Sequence, residues 1–356
     1  MSNSTAFPPP APPPPPPRRF SPWRWLGRLI SLASFAMLLV MAIAVAGLMG
    51  LFSLSGDDTL HEQHHSLSRH ATDKIAVITL EGTILDGDGF VKRQIDHVRD
   101  DTSVKAVVLR INSPGGTVNG ADYLYHHLKK MVADRKLPLV ISMGGIAASG
   151  GYYVAMAVGD EENVVFAEPT TWTGSIGVVI PHYDVSGLME KWSIEEDSIK
   201  SHRLKQMGMP TRHMTEEERE IFQALVNDSF TRFKQIVKSG RPKLDDAALE
   251  KVATGQVFPT SQALANGLID KEGFVEDALD RAIQLANLNK ENVRAVKYKH
   301  LGGIFDMLDI RARSRVATPL GELETLLDLA TPRAYYLCTW LPASRVEALR
   351  NGRGRE

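Results

Sequence analysis

Leu137–Tyr153, LPLVISMGGIAASGGYY, joins an apolar run to a glycine-rich turn, and the fold follows from how that junction is read. Leu137–Ser142 has the length and apolar character of a buried strand. Met143–Tyr153 then holds one hydroxyl, Ser149, between Ala147 and Ala148 on one side and Gly150 and Gly151 on the other. Small neighbours let another backbone approach closely, and glycines permit a tight strand-to-helix turn. Two readings of Ser149 remain open at this point. Its hydroxyl can cap the following helix, or it can project as a nucleophile beside free backbone N–H groups that would hold an oxyanion.

Working outward, strands alternate with helices. Ile75–Leu80 (IAVITL) is expected as a strand, and Phe90–Asp101 as a helix with Val91, Ile95 and Val98 on one face. Val104–Ile111 is a strand leading into the irregular loop Asn112–Gly116, NSPGG. Ala121–Asp134 is a helix, Val164–Phe166 a short strand, and Ile176–Ile180 (IGVVI) another strand. Strands separated by helices imply parallel pairing through right-handed crossovers, hence an α/β domain with a parallel sheet and flanking helices. In such sheets, sites form in loops leaving the carboxyl ends of strands. The NSPGG loop and the serine turn both leave strands at that end.

The 356 residues are 43% hydrophobic and 23% charged, with net charge −1, which points to no nucleic-acid partner. Cys338 is the single cysteine, so no intrachain disulfide is available, and it sits in an apolar context as buried filler. No metal-ligand spacing or cofactor fingerprint occurs, and neither a metal nor a cofactor is expected. Positions 8–17 hold nine prolines and form an extended arm, assigned with residues 1–28 to the cytoplasm. Leu29–Gly56 carries no charge, and residues 29–54 are long enough for one transmembrane helix. Arg18, Arg19, Arg24 and Arg28 precede that run, so the positive-inside rule sends everything after it across the membrane. A cleaved signal peptide, with Ala44-Val-Ala46 as its cleavage site, is the rival reading, but the apolar run is longer than a signal core. Residues 55–73, with His61, His64, His65 and His70, are expected as a solvated linker rather than a metal site.

A serine nucleophile needs a base. Downstream, the residues offer His182 in IPHYDV, without an obvious acid partner, and Lys200 and Lys205 in the polar stretch Asp197–Pro210. A lysine serves only if burial lowers its pKa from about 10.4 to about 7–8, at a cost of roughly 4 kcal/mol.

Five ordered motifs resemble the bacterial signal peptide peptidase A family: INSPGG (111–116), ASGGYY (148–153), TGSIGV (173–178), IKSHRLK (199–205) and GQVFPTSQALANGLID (255–270). The resemblance covers residues 74–285 and implies a membrane-anchored Ser-Lys peptidase on the Clp protease/crotonase-like fold. It implies Ser149 as nucleophile and Lys205 as general base, with Ser175 orienting the lysine. It also implies an oxyanion hole from the N–H groups of Gly150 and of Gly115 or Gly116. His202 stands where the family usually has glycine, which keeps Lys200 as an alternative base.

Remnant signal peptides are the implied substrates, and a homo-oligomeric ring the implied assembly. The expected division is a peptidase domain over 74–290 and a C-terminal extension over 291–356 without a counterpart in the family. A crotonase-type acyl-CoA enzyme and a catalytically inactive membrane scaffold are the alternative functions.

Overall fold

The computed structural model describes residues 31, 33–35, 37–43, 60–300 and 334–337. The chain divides into two units, Met1–Asp58 and Thr59–Glu356. In the first, the described residues between 31 and 43 are helical with every side chain exposed, Phe35, Met37, Leu38 and Ile43 among them. Most of the expected span 29–54 lies outside the described residues, as does Cys338. Among the described residues, no helix is long and apolar enough to cross a membrane.

The second unit begins with β1 (Leu60–Leu67) and β2 (Asp73–Glu81), then α1 (Phe90–Asp100) and β3 (Val104–Ser113). A short β4 (Gly115–Thr117) leads into α2 (Val118–Arg135), β5 (Leu139–Ala148) and α3 (Gly150–Ala155). Then come β6 (Val165–Ala167), β7 (Trp172–Gly174), α4 (Ser186–Lys191), α5 (Glu216–Gly240) and α6 (Asp246–Val252). Last are β8 (Val257–Pro259), α7 (Thr260–Ala265), β9 (Lys271–Glu272), α8 (Val275–Leu285), β10 (Val293–His300) and β11 (Tyr335–Leu337).

The main sheet runs β1-β10-β2-β3-β5-β6-β9, with β7 pairing β5 and β8. From β10 through β9 every pair along that order is parallel. Antiparallel pairing appears where β1 meets β10 and where β7 meets β8. The central strands are apolar on both faces: Val107, Val108, Leu109, Val140 and Ile141 are all inaccessible to solvent. That is the signature of a parallel sheet covered by helices, here with α8 packed against β3 and β5 and α1 against β2. Thr215 and Glu218 close a reciprocal capping box at the start of α5.

Three expectations are corrected. Residues 55–73 are not merely a linker, because Leu60–Leu67 forms β1, whose Leu60 and Leu67 pack on the core. The histidines hid that strand from a reading of composition. Within the expected extension 291–356, residues 293–300 belong to the sheet, since β10 lies between β1 and β2 with Val293, Ala295, Val296 and Tyr298 buried. Finally, Ile176–Ile180 is no sheet strand. Trp172–Gly174 takes the pairing with β5 and β8, and Val179 keeps a single bridge, to Tyr335.

Candidate active site

Strand β5 runs six residues further than the apolar run suggests, because it changes partner along its length. Ile141–Met143 pair with β6, and Ile146–Ala148 pair with β7. This second pairing holds the chain extended through Gly144 and Gly145 up to Ser149, where it breaks sharply. Ser149 has φ 54° and ψ −116°, a conformation L-residues avoid, costing of order 1–3 kcal/mol. Its N–H donates to the Gly174 carbonyl at 2.8 Å, and its own carbonyl accepts the Tyr153 N–H at 2.9 Å. Those backbone bonds, made by buried neighbours, hold the strain in place.

The side chain of Ser149 makes no capping bond to α3, so the helix-cap reading fails. Ser149 is 1% exposed, and among the described residues its hydroxyl has no hydrogen-bonding partner. A buried, strained serine released from local hydrogen bonding is suited to attack and poorly explained as scaffolding.

Strand β4 supplies the opposite wall. Gly115 has φ 99°, and the place where its Cβ would sit lies 2.6 Å from the Gly150 nitrogen and 3.0 Å from the Ser149 Cβ. Only glycine leaves that space open. A Cβ on Gly116 would collide with the Ile84 carbonyl, to which Thr117 donates at 2.7 Å. Gly115 and Gly116, equal candidates for the second oxyanion donor, differ in their backbone partners. The Gly115 N–H is already given to the Ser113 hydroxyl at 3.2 Å, while that hydroxyl donates to the Gly82 carbonyl at 2.6 Å. Gly116 faces the other edge, paired with Tyr336. Ser113, fully buried, was missed because a serine in an NSPGG loop reads as a surface turn residue.

Ser175 follows Gly174 directly, and both have positive φ, 51° and 85°. Its N–H donates to the Gln256 carbonyl at 2.7 Å, tying this turn to the residues entering β8. The Ser149–Gly174 hydrogen bond therefore sets Ser175 beside the serine turn.

The candidate bases are not brought to that point. Lys205 is exposed, in a 3₁₀ turn Arg203–Gln206, and among the described residues its ammonium has no hydrogen bond or ion pair. Lys200 is likewise exposed and bonds the Gln206 side chain, which bonds Glu196. His182 has a buried Nε2 without a partner, and none of these three bonds Ser149. The histidine in the glycine position of the motif causes no strain, because His202 has φ −157°, extended backbone open to any residue.

Glu62, His97 and Asp101 converge within 4.8 Å in a metal-like cluster away from the serine turn. The Lys74 ammonium already sits between its two carboxylates, 2.5 Å from Glu62 and 2.9 Å from Asp101, making it an ion-pair network.

Residues 132–289 match the family described as Peptidase family S49, a match that contains the serine turn, Ser175 and Lys205. A protein of Enterococcus faecium provisionally named signal peptide peptidase SppA is 34% identical over 239 residues, covering 64% of this chain and 67% of that protein. Protease 4 of Haemophilus influenzae is 31% identical over 244 residues, 66% of this chain, but the chain spans only 38% of that longer protein. The serine protease SPPA of Arabidopsis thaliana chloroplasts is 34% identical over 234 residues, covering 62% of this chain and 34% of its own. With the uncapped, strained Ser149 inside the matched region, the chain belongs to peptidase family S49 as a serine peptidase.

Proposed function

We propose that this peptidase is a membrane-anchored endopeptidase that degrades remnant signal peptides, with Ser149 as nucleophile and Lys205 as general base. The observation that carries the reading is the backbone of Ser149, strained, buried and uncapped beside Gly115, Gly116 and Gly150. Neutral Lys205 takes the Ser149 proton as the hydroxyl oxygen attacks a peptide carbonyl, and the N–H groups of Gly150 and of Gly115 or Gly116 hold the resulting oxyanion. The protonated lysine then passes its proton to the leaving amine, and water releases the acyl group from Ser149. Ser175 orients the lysine. The Clp protease/crotonase-like fold is supported by the repeated parallel strand–helix units and by both loops leaving the same strand ends.

Lys205 has to be desolvated for this role. Residues 190–203, which lead up to it, are all exposed, and Trp192, Ile194 and Ile199 among them are apolar. Three large apolar side chains exposed on one segment support a surface that another subunit covers. The reading therefore includes a homo-oligomer whose assembly buries this stretch and carries Lys205 to a serine. The uncharged run 29–54, after four arginines, supports a single anchor with the N-terminus cytoplasmic and the catalytic unit outside. That location suits substrates left in the membrane, as the name of the Enterococcus relative suggests for that protein.

Active-site labelling of the full chain with a fluorophosphonate tests the chemistry. Labelling that persists in Ser149→Ala would overturn it. Protease added to intact spheroplasts tests the topology: the catalytic unit should be digested and the proline-rich arm spared.

A further inference from the structure

The strand that delivers Ser149 loses regular pairing on both edges just before it gets there. On one edge, Ile111 of β3 pairs with Met143 and Ser113 pairs with Ala147, so β5 advances four residues while β3 advances two. On the other edge, pairing with β6 stops at Met143 and pairing with β7 starts at Ile146. Gly144 and Gly145 therefore lie outside the register of all three neighbours, in a stretch where glycine adds its own freedom. A nucleophile at the end of so weak a stretch needs another source of rigidity.

Side chains supply it. The Asn112 Oδ1 accepts the Ile146 N–H at 3.2 Å. The Thr171 hydroxyl donates to the Gly144 carbonyl at 2.6 Å, and the Thr173 hydroxyl donates to the Ala147 carbonyl at 2.7 Å. The Thr260 hydroxyl, on the first residue of α7, lies 2.5 Å from the Glu168 carbonyl and 3.3 Å from that of Thr171. It braces the turn that carries Thr171 into β7. All three threonines are inaccessible to solvent, so no water competes for these bonds. Threonine branches at Cβ, which leaves its hydroxyl few directions to point in.

Thr173 stands nearest the reacting group. Its side chain holds the Ala147 carbonyl, and the carbonyl of the next residue, Gly174, accepts the Ser149 N–H at 2.8 Å. Two consecutive residues of β7 thus grip β5 on either side of Ala148. The strained backbone of Ser149 starts from a strand end whose position these two bonds define.

We infer that Thr173 is a positioning residue for Ser149, with Thr171 and Thr260 bracing the strand behind it. This rests on the reading of Ser149 as nucleophile and adds to it the device that aims the hydroxyl. Misplacing a reacting atom by about 1 Å can cost about 10²-fold in rate, so loosening one of several restraints should cost about tenfold.

The test uses the full chain, a small fluorophosphonate and a short peptide substrate. Thr173→Val keeps the shape and removes the hydroxyl. Its kcat and its rate of labelling, both per folded molecule, should fall about tenfold, with KM within about twofold of wild type. Thr173→Ser keeps the hydroxyl and should recover most of that loss. A Thr173→Val protein that melts lower but reacts at the wild-type rate would overturn the inference, since the bond would then serve stability alone. Equal loss in Thr173→Ser and Thr173→Val would also overturn it, assigning the effect to the methyl group. Should Thr173→Val fail to fold, Thr171→Val carries the test: labelling should slow about threefold at unchanged KM, and an unchanged rate would refute the bracing. Absence of label in every form, wild type included, would instead sink the reading of Ser149 on which the inference rests.

Discussion

Around Ser149 the neighbours are buried: Ala147, Ala148, Gly150, Gly151 and Tyr152 all lie inside the core, and Ser149 itself is 1% exposed. Along residues 190–203, leading to Lys205, every residue is exposed, and the Ile199 side chain stands wholly in solvent at 102%. One half of the proposed dyad is prebuilt by a single chain, and the other is not. The contrast has a physical cause. A nucleophile held in strained backbone needs surroundings that over-determine its conformation, and the packed junction of β5, β7, β4 and α3 supplies them. A lysine base needs its charge destabilised, which only removal from water achieves, and this chain alone leaves Lys205 in water.

The sharpest way to break that comparison is at the serine. Ser149→Ala should abolish fluorophosphonate labelling and lower peptide cleavage by at least about 10³-fold. Because that side chain makes no hydrogen bond, the melting temperature should stay near wild type, a point calorimetry can check.

On the exposed side, Lys205→Ala should lose nearly as much activity while changing stability by less than about 0.5 kcal/mol. Lys200→Ala, which breaks only a surface bond to Gln206, should keep most of it. Loss in Lys200→Ala alone would transfer the role of base to that residue.

Gly150→Val sharpens the buried side. A side chain there meets the Gly116 nitrogen at 3.1 Å and the Gly115 Cα at 3.2 Å, so the niche should narrow. Activity should drop by about one to two orders of magnitude, with overpacking costing about 1–3 kcal/mol in a denaturant melt. Unchanged kcat/KM would mean that the reacting carbonyl does not visit Gly150.

If assembly completes the lysine side, specific activity should fall several-fold on dilution, and Trp192→Glu should produce the same loss at high concentration. Sedimentation would read the accompanying change of state. Full activity in a demonstrated monomer would remove the subunit from the account of Lys205.

The smallest effect lies far from the dyad. Burial opposes ionisation of Asp101, but hydrogen bonds from Ser103 and the Lys74 ammonium hold its carboxyl down to about 2. Since the folded value lies below the ordinary carboxylate value, its stabilisation, of order 1–2 kcal/mol, is complete above about pH 4 and fades as pH falls toward about 2. Asp101→Asn should flatten the acid limb of melting temperature against pH in that window and leave cleavage near neutrality intact.

Much of this was legible in the residues. The apolar runs Ile75–Leu80, Val104–Ile111 and Leu137–Ser142 announced buried parallel strands, because only strands covered on both faces tolerate such continuity. The spacing of small residues around Ser149 marked the turn, because close approach needs side chains out of the way. Tertiary structure alone decided the rest. β1 and β10 became sheet strands through pairing between residues more than two hundred apart, which no local pattern records. Whether Ser149 capped a helix or stood free depended on a hydrogen bond to Gly174, twenty-five residues on. The Ser113 hydroxyl took the Gly115 N–H, a pairing made by backbone direction rather than residue type. The Tyr336 side chain found its place beside Tyr153 and Phe233, which lie far apart in the sequence. Residue chemistry names the groups able to react. Which of them share a point in space is set by long-range pairing and burial, which act on the folded chain as a whole.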